Sequence, residues 1–256
     1  MDPSALKRLA QYLGFSSLCG VQLFFLTFIL GGLALARFLP LLDRHIPGGA
    51  PITQIFLEAL WFALMVFGLL KNRKPYREKY GEKAYQKIAF RFFLPAAMLM
   101  LAGILRGVWV EGEGLRAVPF WLRLILGIYC LLLGLTLEFR GVVSLGVDRI
   151  AFVYTVFPER GTRVESQLYE FLRHPIYSAM THMALGVALL SGKLSGLFCF
   201  PVFALKIWLW SKVEEKELTQ RFGESYADYR KRVPAFFPRL RRQPEYLRLL
   251  FGRDKH

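Results

Sequence analysis

No charged side chain interrupts the chain between Leu9 and Ala36. A helix of about 20 consecutive apolar residues crosses a bilayer core, and within that core each backbone N–H and C=O must be satisfied inside the protein. A longer uncharged run therefore leaves little besides a membrane-spanning helix. Further apolar stretches recur at 52–70, 89–109, 118–138, 176–192 and 194–211. The expected fold is all-α: a polytopic membrane helix bundle of about six transmembrane helices with amphipathic helices on one side. The last two spans are short and joined tightly around Gly192-Lys193. A 54% hydrophobic content and a mean hydropathy of +0.35 exclude an ordinary soluble domain of this length. Lys7 and Arg8 before the first run, with Ala34-Leu35-Ala36 after it, imitate a cleavable leader. The run far exceeds the about 7–15 residues of such a segment, so a retained helix is expected.

The formal net charge of +15 raises the question of nucleic acid, and its distribution answers it. Lys71, Arg73, Lys74, Arg77, Lys79, Lys83, Lys87 and Arg91 crowd the second connection against only Glu78 and Glu82. Arg140, Arg149, Arg160, Arg163 and Arg173 follow the fourth span, and the tail beyond Ser211 is basic. The turns near 40–51, 110–117 and 192–193 carry few basic residues. This alternation follows the positive-inside rule, with both termini cytoplasmic. It reads as a membrane-facing basic surface, with no nucleic acid as partner and a bacterial inner membrane as the expected location.

Three units organise the chain: residues 1–115, three spans and a basic link; residues 116–240, three more spans with a loop and a tail helix; and residues 241–256, a basic surface tail. Cys19, Cys130 and Cys199 are far apart within predicted spans, which suits packing rather than a disulfide or a metal site. Glu58 is an intramembrane carboxylate, a costly placement, for which Arg106 or Arg44 is the expected partner. The link at 71–90 reads as an interfacial helix. Residues 139–174 lack a sustained apolar period, too long for an idle turn, and form a natural entry for a polar ligand. After the sixth span, Leu218, Phe222, Ser225 and Tyr229 continue an amphipathic helix that Pro234 stops.

Two fragments stand out in this frame. Arg173-His174-Pro175-Ile176-Tyr177 lies where the charged loop meets the fifth span, with Pro175 suited to the first helical turn. His174 then sits at a helix N-terminus, where the dipole favours the neutral ring, and Tyr177 shares its face. About forty residues on, Glu214 and Glu215 open the extension of the sixth span. Adjacent helical residues point about 100° apart, so the two carboxylates are expected to serve different partners: Glu214 on a stripe with Trp210 and Lys206, Glu215 against loop or tail residues.

Together with Phe222-Gly223, Tyr226, Tyr229 and Val233-Pro234, these fragments resemble the isoprenylcysteine carboxyl methyltransferase and phospholipid methyltransferase superfamily over roughly residues 120–240. The resemblance implies S-adenosyl-L-methionine as cofactor and a lipophilic small molecule, lipid or lipidated acceptor in the bilayer. It places His174, Pro175, Ile176, Tyr177, Tyr169, Glu214 and Glu215 around the cofactor, with His174 and Glu214 as candidate catalytic residues. The preceding segment, Gly161, Thr162, Arg163 and Val164, falls on further family contacts, as does Tyr154. Gln167-Leu168-Tyr169 replaces the family's common Gly-x-Tyr. Where the eukaryotic prenylcysteine enzymes carry a carboxylate-holding arginine, one turn before the matched Glu, this chain has Trp210. Lys206, a turn deeper, is a candidate substrate contact or a residue that snorkels toward headgroups.

Two other classes compete. Membrane sterol reductases, which use a nicotinamide cofactor, resemble the same region but carry Asn where Ile176 stands. A non-catalytic membrane protein would leave the polar residues as an interfacial anchor. Ile176 and the Glu214-Glu215 pair favour methyl transfer.

Overall fold

The computed structural model describes residues 3–46, 48–162, 164–165 and 167–252. Among them the chain forms helices and turns, with one isolated bridge between Gly114 and Lys193. Five helices are long and apolar enough to cross a membrane. They are α2 (Leu18–Asp43), α3 (Gly49–Leu70), α4 (Arg73–Val108), α5 (Phe120–Leu145) and α7 (Leu194–Phe222), in an order that begins with α1 (Pro3–Leu13). The fifth expected span is α6 (Pro175–Ser191), apolar but shorter. Its 17 residues rise about 25 Å, just under the hydrocarbon thickness. Two short helices follow α7: α8 (Glu224–Arg232) and α9 (Gln243–Phe251).

The first apolar run divides where a single span was expected. Gly14 takes φ +76° and Ser16-Ser17 follow it, so the backbone leaves the helix there. α1 buries Ala5, Leu9 and Leu13 at four-residue spacing and leaves Lys7 exposed, as an amphipathic segment should. α2 runs on through Pro40 to Asp43, past the expected stop. Proline removes a bond to the preceding turn but does not bar helix after it. Much of α2 faces outward, through Leu23, Leu30 and Phe38, as does Cys19, which the sequence suggested would be a packing residue. The basic link forms the first part of α4, where Gly81 (φ +54°) interrupts the regular helix; its first turns bury none of their residues, and the helix widens at Ala89–Phe93.

α5 also outruns its expected end at 138, because Phe139, Val142 and Val143 extend the apolar pattern to a stop at Gly146. Three glycines seven residues apart, Gly127, Gly134 and Gly141, let α5 lie directly on α6. A Cβ at Gly134 would stand 2.9 Å from the Ala179 carbonyl oxygen, and one at Gly141 would stand 2.3 Å from Ile176 Cδ1. Small residues allow such close approach between membrane helices. Gly134→Leu is expected to cost about 1–3 kcal/mol by overpacking, read as a lowered Tm in detergent. An unchanged Tm would mean that the two helices are not in contact at this level.

α6 ends in a left-handed turn at Gly192, and α7 returns antiparallel. Gly223, with φ +60° and ψ −139°, breaks the expected continuous tail helix and sets off α8. Tyr226, Tyr229 and Val233 still form one small buried cluster, with Leu218 and Phe222 packed against it. The final segment is not a free basic tail. α9 packs Tyr246 and Leu250 with Leu137, Leu168 and Phe171, and Arg140 donates to the Gly252 carbonyl (2.9 Å).

The polar groups inside the bundle pair differently from expectation. Arg106 binds both oxygens of Asp43 at 2.7 Å, and Arg44 binds Glu111. Glu58 takes Lys206 instead, with Lys206 Nζ 2.7 Å from Glu58 Oε2. Both acids nearer the bundle end, Asp43 and Glu111, were available to the arginines, which left the deeper Glu58 to the one lysine facing it from α7.

Candidate functional site

Three segments converge at the opposite end from Arg44 and Glu111: the N-terminus of α6, the far end of α7 and the stretch after α8. Pro175 starts α6 and leaves His174 as the residue before it. The backbone N–H groups of Arg173 and His174 donate to the carbonyls of Pro234 (2.9 Å) and Ala235 (3.0 Å). Ser178 Oγ donates to the Phe236 carbonyl (3.0 Å), and the Phe236 ring lies 5.7 Å from the His174 ring. Residues 234–236 thus form a strap across the histidine, which is 4% exposed.

Both glutamates meet this one ring, where separate partners were expected. Glu215 Oε1 lies 3.2 Å from His174 Nε2, and Glu214 Oε2 lies 3.4 Å from Nδ1. The histidine projects between the two divergent side chains, so the 100° between them becomes a clamp. Arg173 completes it, with Nη2 at 2.7 Å and Nε at 2.9 Å from Glu215 Oε1. The same guanidinium donates to the carbonyls of Arg230 (2.9 Å) and Val233, which ties the tail to the site. Glu215 is therefore nearly enclosed, while the Glu214 side chain stays 31% exposed.

Only an imidazolium can donate from both ring nitrogens. Burial opposes that charge, but the two carboxylates together outweigh it, and the His174 pKa lies above the usual histidine value. The neutral ring expected from the helix dipole is thereby displaced: two full charges in contact exceed the partial charge of a helix end. The resulting stabilisation is complete below about pH 6.5, the unfolded value, and fades as pH rises through the raised folded value. His174→Gln should therefore lose most Tm relative to wild type in mildly acidic buffer and least in alkaline buffer. Parallel Tm curves for the two proteins would show that the ring carries no extra proton.

Tyr177 stacks on His174 at 5.4 Å and 18°. Trp210 Nε1 donates to the Tyr177 hydroxyl oxygen at 2.8 Å, leaving the phenol hydrogen to face Glu214. Trp210 is 2% exposed, edge-on to Trp61 (5.2 Å) and to Phe152 (6.0 Å). Tyr169 is buried beside Glu214, and its main-chain oxygen accepts from Tyr229 Oη at 2.7 Å. Burial first, then the Glu214 charge, hold the Tyr169 phenol well above its ordinary pKa, so it stays a donor. Ile176 is buried against Gly141. Lys206 is buried inside the bundle, where its ammonium pairs with Glu58 and meets Met100 Sδ, and it does not snorkel toward headgroups.

The remaining sequence-derived candidates form a neighbouring group. Tyr154 Oη donates to Asp148 (2.8 Å), which also accepts from Arg8 (2.8 Å). Arg221 donates to the Gly161 carbonyl (2.5 Å), and Arg149 donates to Thr162 Oγ1 (2.7 Å). The Arg149 charge bears on Tyr169, which links this group to the first. Val164 lines a cavity of about 780 Å³ together with Glu165, Glu170, Tyr229, Arg232 and Arg242. Arg163 lies outside the described residues. Sequence reasoning missed Arg173 as the clamp on Glu215, the 234–236 strap and the buried Asp148. Arg173 did carry a signal, since it immediately precedes His-Pro.

Residues 122–225 match the family described as phospholipid methyltransferase. The protein-S-isoprenylcysteine O-methyltransferase of Mus musculus is 36% identical over 81 residues, 30% of this chain and 28% of that protein. The Schizosaccharomyces pombe protein of the same name is 28% identical over 158 residues, 55% of this chain and 66% of its own length. The Homo sapiens protein of that name is 33% identical over 81 residues, again 30% and 28% of the two chains. The chain thus spans less than a third of the mammalian relatives it matches. No solved structure matches it. The His174, Glu214 and Glu215 cluster lies inside the matched span, and over residues 122–225 the chain is similar to the phospholipid methyltransferase and protein-S-isoprenylcysteine O-methyltransferase proteins.

Proposed function

We propose that this chain is an integral membrane methyltransferase that uses S-adenosyl-L-methionine and acts on a lipophilic or membrane-embedded acceptor. The observation that carries the reading is the convergence of His174, Glu214, Tyr169 and Tyr177 at one end of the bundle, within the family-matched residues.

The donor set fits such a cofactor. Glu214 is a partly open carboxylate beside two phenols, suited to ammonium and ribose hydroxyl groups. The cavity at Val164 has acids and arginines on its walls, Glu165 and Glu170 facing Arg232 and Arg242, which suits a zwitterion. Tyr169, His174, Tyr177 and Glu214 would hold the cofactor, with Gly161, Thr162 and Val164 beside them. When bound, adenosylmethionine supplies a methyl group on a sulfonium.

The chain's own contribution is orientation and charge. The Trp210 N–H occupies the Tyr177 oxygen and directs the phenol hydrogen to Glu214, which fixes one carboxylate oxygen. His174 and Arg173 hold Glu215 and the tail, so the wall behind Glu214 is set before any ligand arrives. Alignment of this kind can remove a large part of a transfer barrier. His174 already holds its proton between two carboxylates, so Glu214 is the group able to take a proton from an amine or thiol acceptor. A carboxylate acceptor needs no base. The basic residues of α4, the 146–174 loop and the tail lie toward the site, in keeping with a cytoplasmic mouth and cytoplasmic termini.

Calorimetry on the detergent-purified chain, titrating adenosylmethionine, its demethylated product and NADPH separately, tests the reading. Binding is expected for the first two. Heat from NADPH alone would replace the methyltransferase with a reductase.

A further inference from the structure

The outward face of α7 changes character along its length. Phe198, Leu205, Trp208 and Leu209 are exposed apolar residues. Lys212 and Lys216 continue the same stripe at helical spacing and are exposed in turn. At that end lies an open cavity of about 560 Å³ walled by Arg173, Lys212, Lys216 and Arg230, with Glu215 at its back. We propose that this cavity binds the phosphate group of a membrane phospholipid whose acyl chains lie along Phe198, Leu205 and Leu209.

The charge count favours an anion. Glu215, the acid in the wall, is already engaged by Arg173 and His174. Lys212 approaches it only to 3.8 Å and stands 5.7 Å over the Trp208 ring. Thr219 is turned away, its hydroxyl bonded to the Glu215 carbonyl (2.7 Å). Lys212, Lys216 and Arg230 thus present three cations to the opening. Two ammonium groups and a guanidinium can meet separate oxygens of one tetrahedral phosphate. Trp208 sets the depth, since exposed tryptophans gather at headgroup level. Apolar side chains directly above a basic pocket follow the order of a phospholipid read from its chains to its head. The cavity shares Arg173 and Glu215 with the wall behind Glu214, and phosphate binding there does not depend on which acceptor is methylated.

The test uses the full chain in detergent and three probes: dioctanoyl-phosphatidylglycerol, dioctanoylglycerol with no phosphate, and inorganic phosphate. The phosphatidylglycerol is expected to bind, and K212A/K216A/R230A should weaken it about tenfold or more, since charge-assisted hydrogen bonds to the phosphate are lost. An R239A/R241A control should bind as wild type does. Lys216→Gln alone carries the same comparison should the triple variant fail to fold by circular dichroism. Equal affinity in these variants, or equal affinity for dioctanoylglycerol, overturns the site. Inorganic phosphate that fails to displace the lipid supports the lipid source. Displacement at millimolar concentration makes a free phosphate the ligand and overturns the lipid assignment.

Discussion

Lys206→Met is expected to lower stability by about 3–5 kcal/mol, and the same change in a Glu58→Gln background to cost far less. Nζ of Lys206 and Oε2 of Glu58 are 2.7 Å apart, with both side chains at most 5% exposed. The ammonium also lies 4.1 Å from the Phe203 centroid and 4.7 Å from that of Trp61, a placement that rewards a cation and nothing else. Gln54 Nε2 reaches Glu58 at 2.5 Å, and Gly103 leaves the space: a Cβ there would sit 2.6 Å from the Glu58 carboxylate. Removing the lysine alone strands a carboxylate in the bundle interior with a single amide partner. Removing both charges with near-isosteric residues removes that penalty as well. Tm of the three variants in one detergent, scored as a double-mutant cycle, measures the coupling. Additive losses would show that the pair does not act as a unit. The consequence reaches the site: Lys206 precedes Trp210 by one turn of α7, Trp61 and Phe62 pack on that indole, and its N–H holds Tyr177. α3, outside the family-matched residues, thereby fixes a wall of the candidate site.

Apolar runs and their spacing were enough to place the five long apolar helices and the shorter α6, because burial in lipid is a local property of each segment. Pro175 and His174 marked the start of α6 for the same reason. What stayed hidden depends on relations between distant segments. Glu58 could be read as costly, but its choice of Lys206 over Arg106 follows from where Asp43 lies after α2 runs past Pro40. The heptad of Gly127, Gly134 and Gly141 was present in the sequence, yet its meaning requires α6 alongside. The divided first run turned on one positive φ at Gly14. Glu214 and Glu215 were read as serving different partners, since helix geometry separates them. The histidine between them reverses that conclusion, because a third element can occupy the angle that two residues enclose.

Glu214→Gln and Glu215→Gln should therefore fail in different ways, although the residues are neighbours of equal size. Glu215 is 4% exposed at its side chain and neutralises Arg173, whose guanidinium also holds the carbonyls of Arg230 and Val233. Its amide analogue leaves that cation and the His174 imidazolium facing each other without an anion between them. The expected cost is about 3 kcal/mol or more, with the 234–236 strap loosening first and faster hydrogen exchange at Arg173 and His174 as the local sign. Glu214 contacts the ring at 3.4 Å and is open on its other side, so its amide analogue should fold with a loss under about 1 kcal/mol. Its effect belongs to the ligand: a hydrogen bond to a charged group is worth about 1.5–3 kcal/mol, or roughly 10- to 150-fold in adenosylmethionine affinity by calorimetry. The reverse pattern, a stable Glu215→Gln protein with lost binding and an unstable Glu214→Gln protein that still binds, would exchange the two roles and move the cofactor to the α7 face that carries Lys212. Full binding and full stability in both would remove the pair from the site altogether.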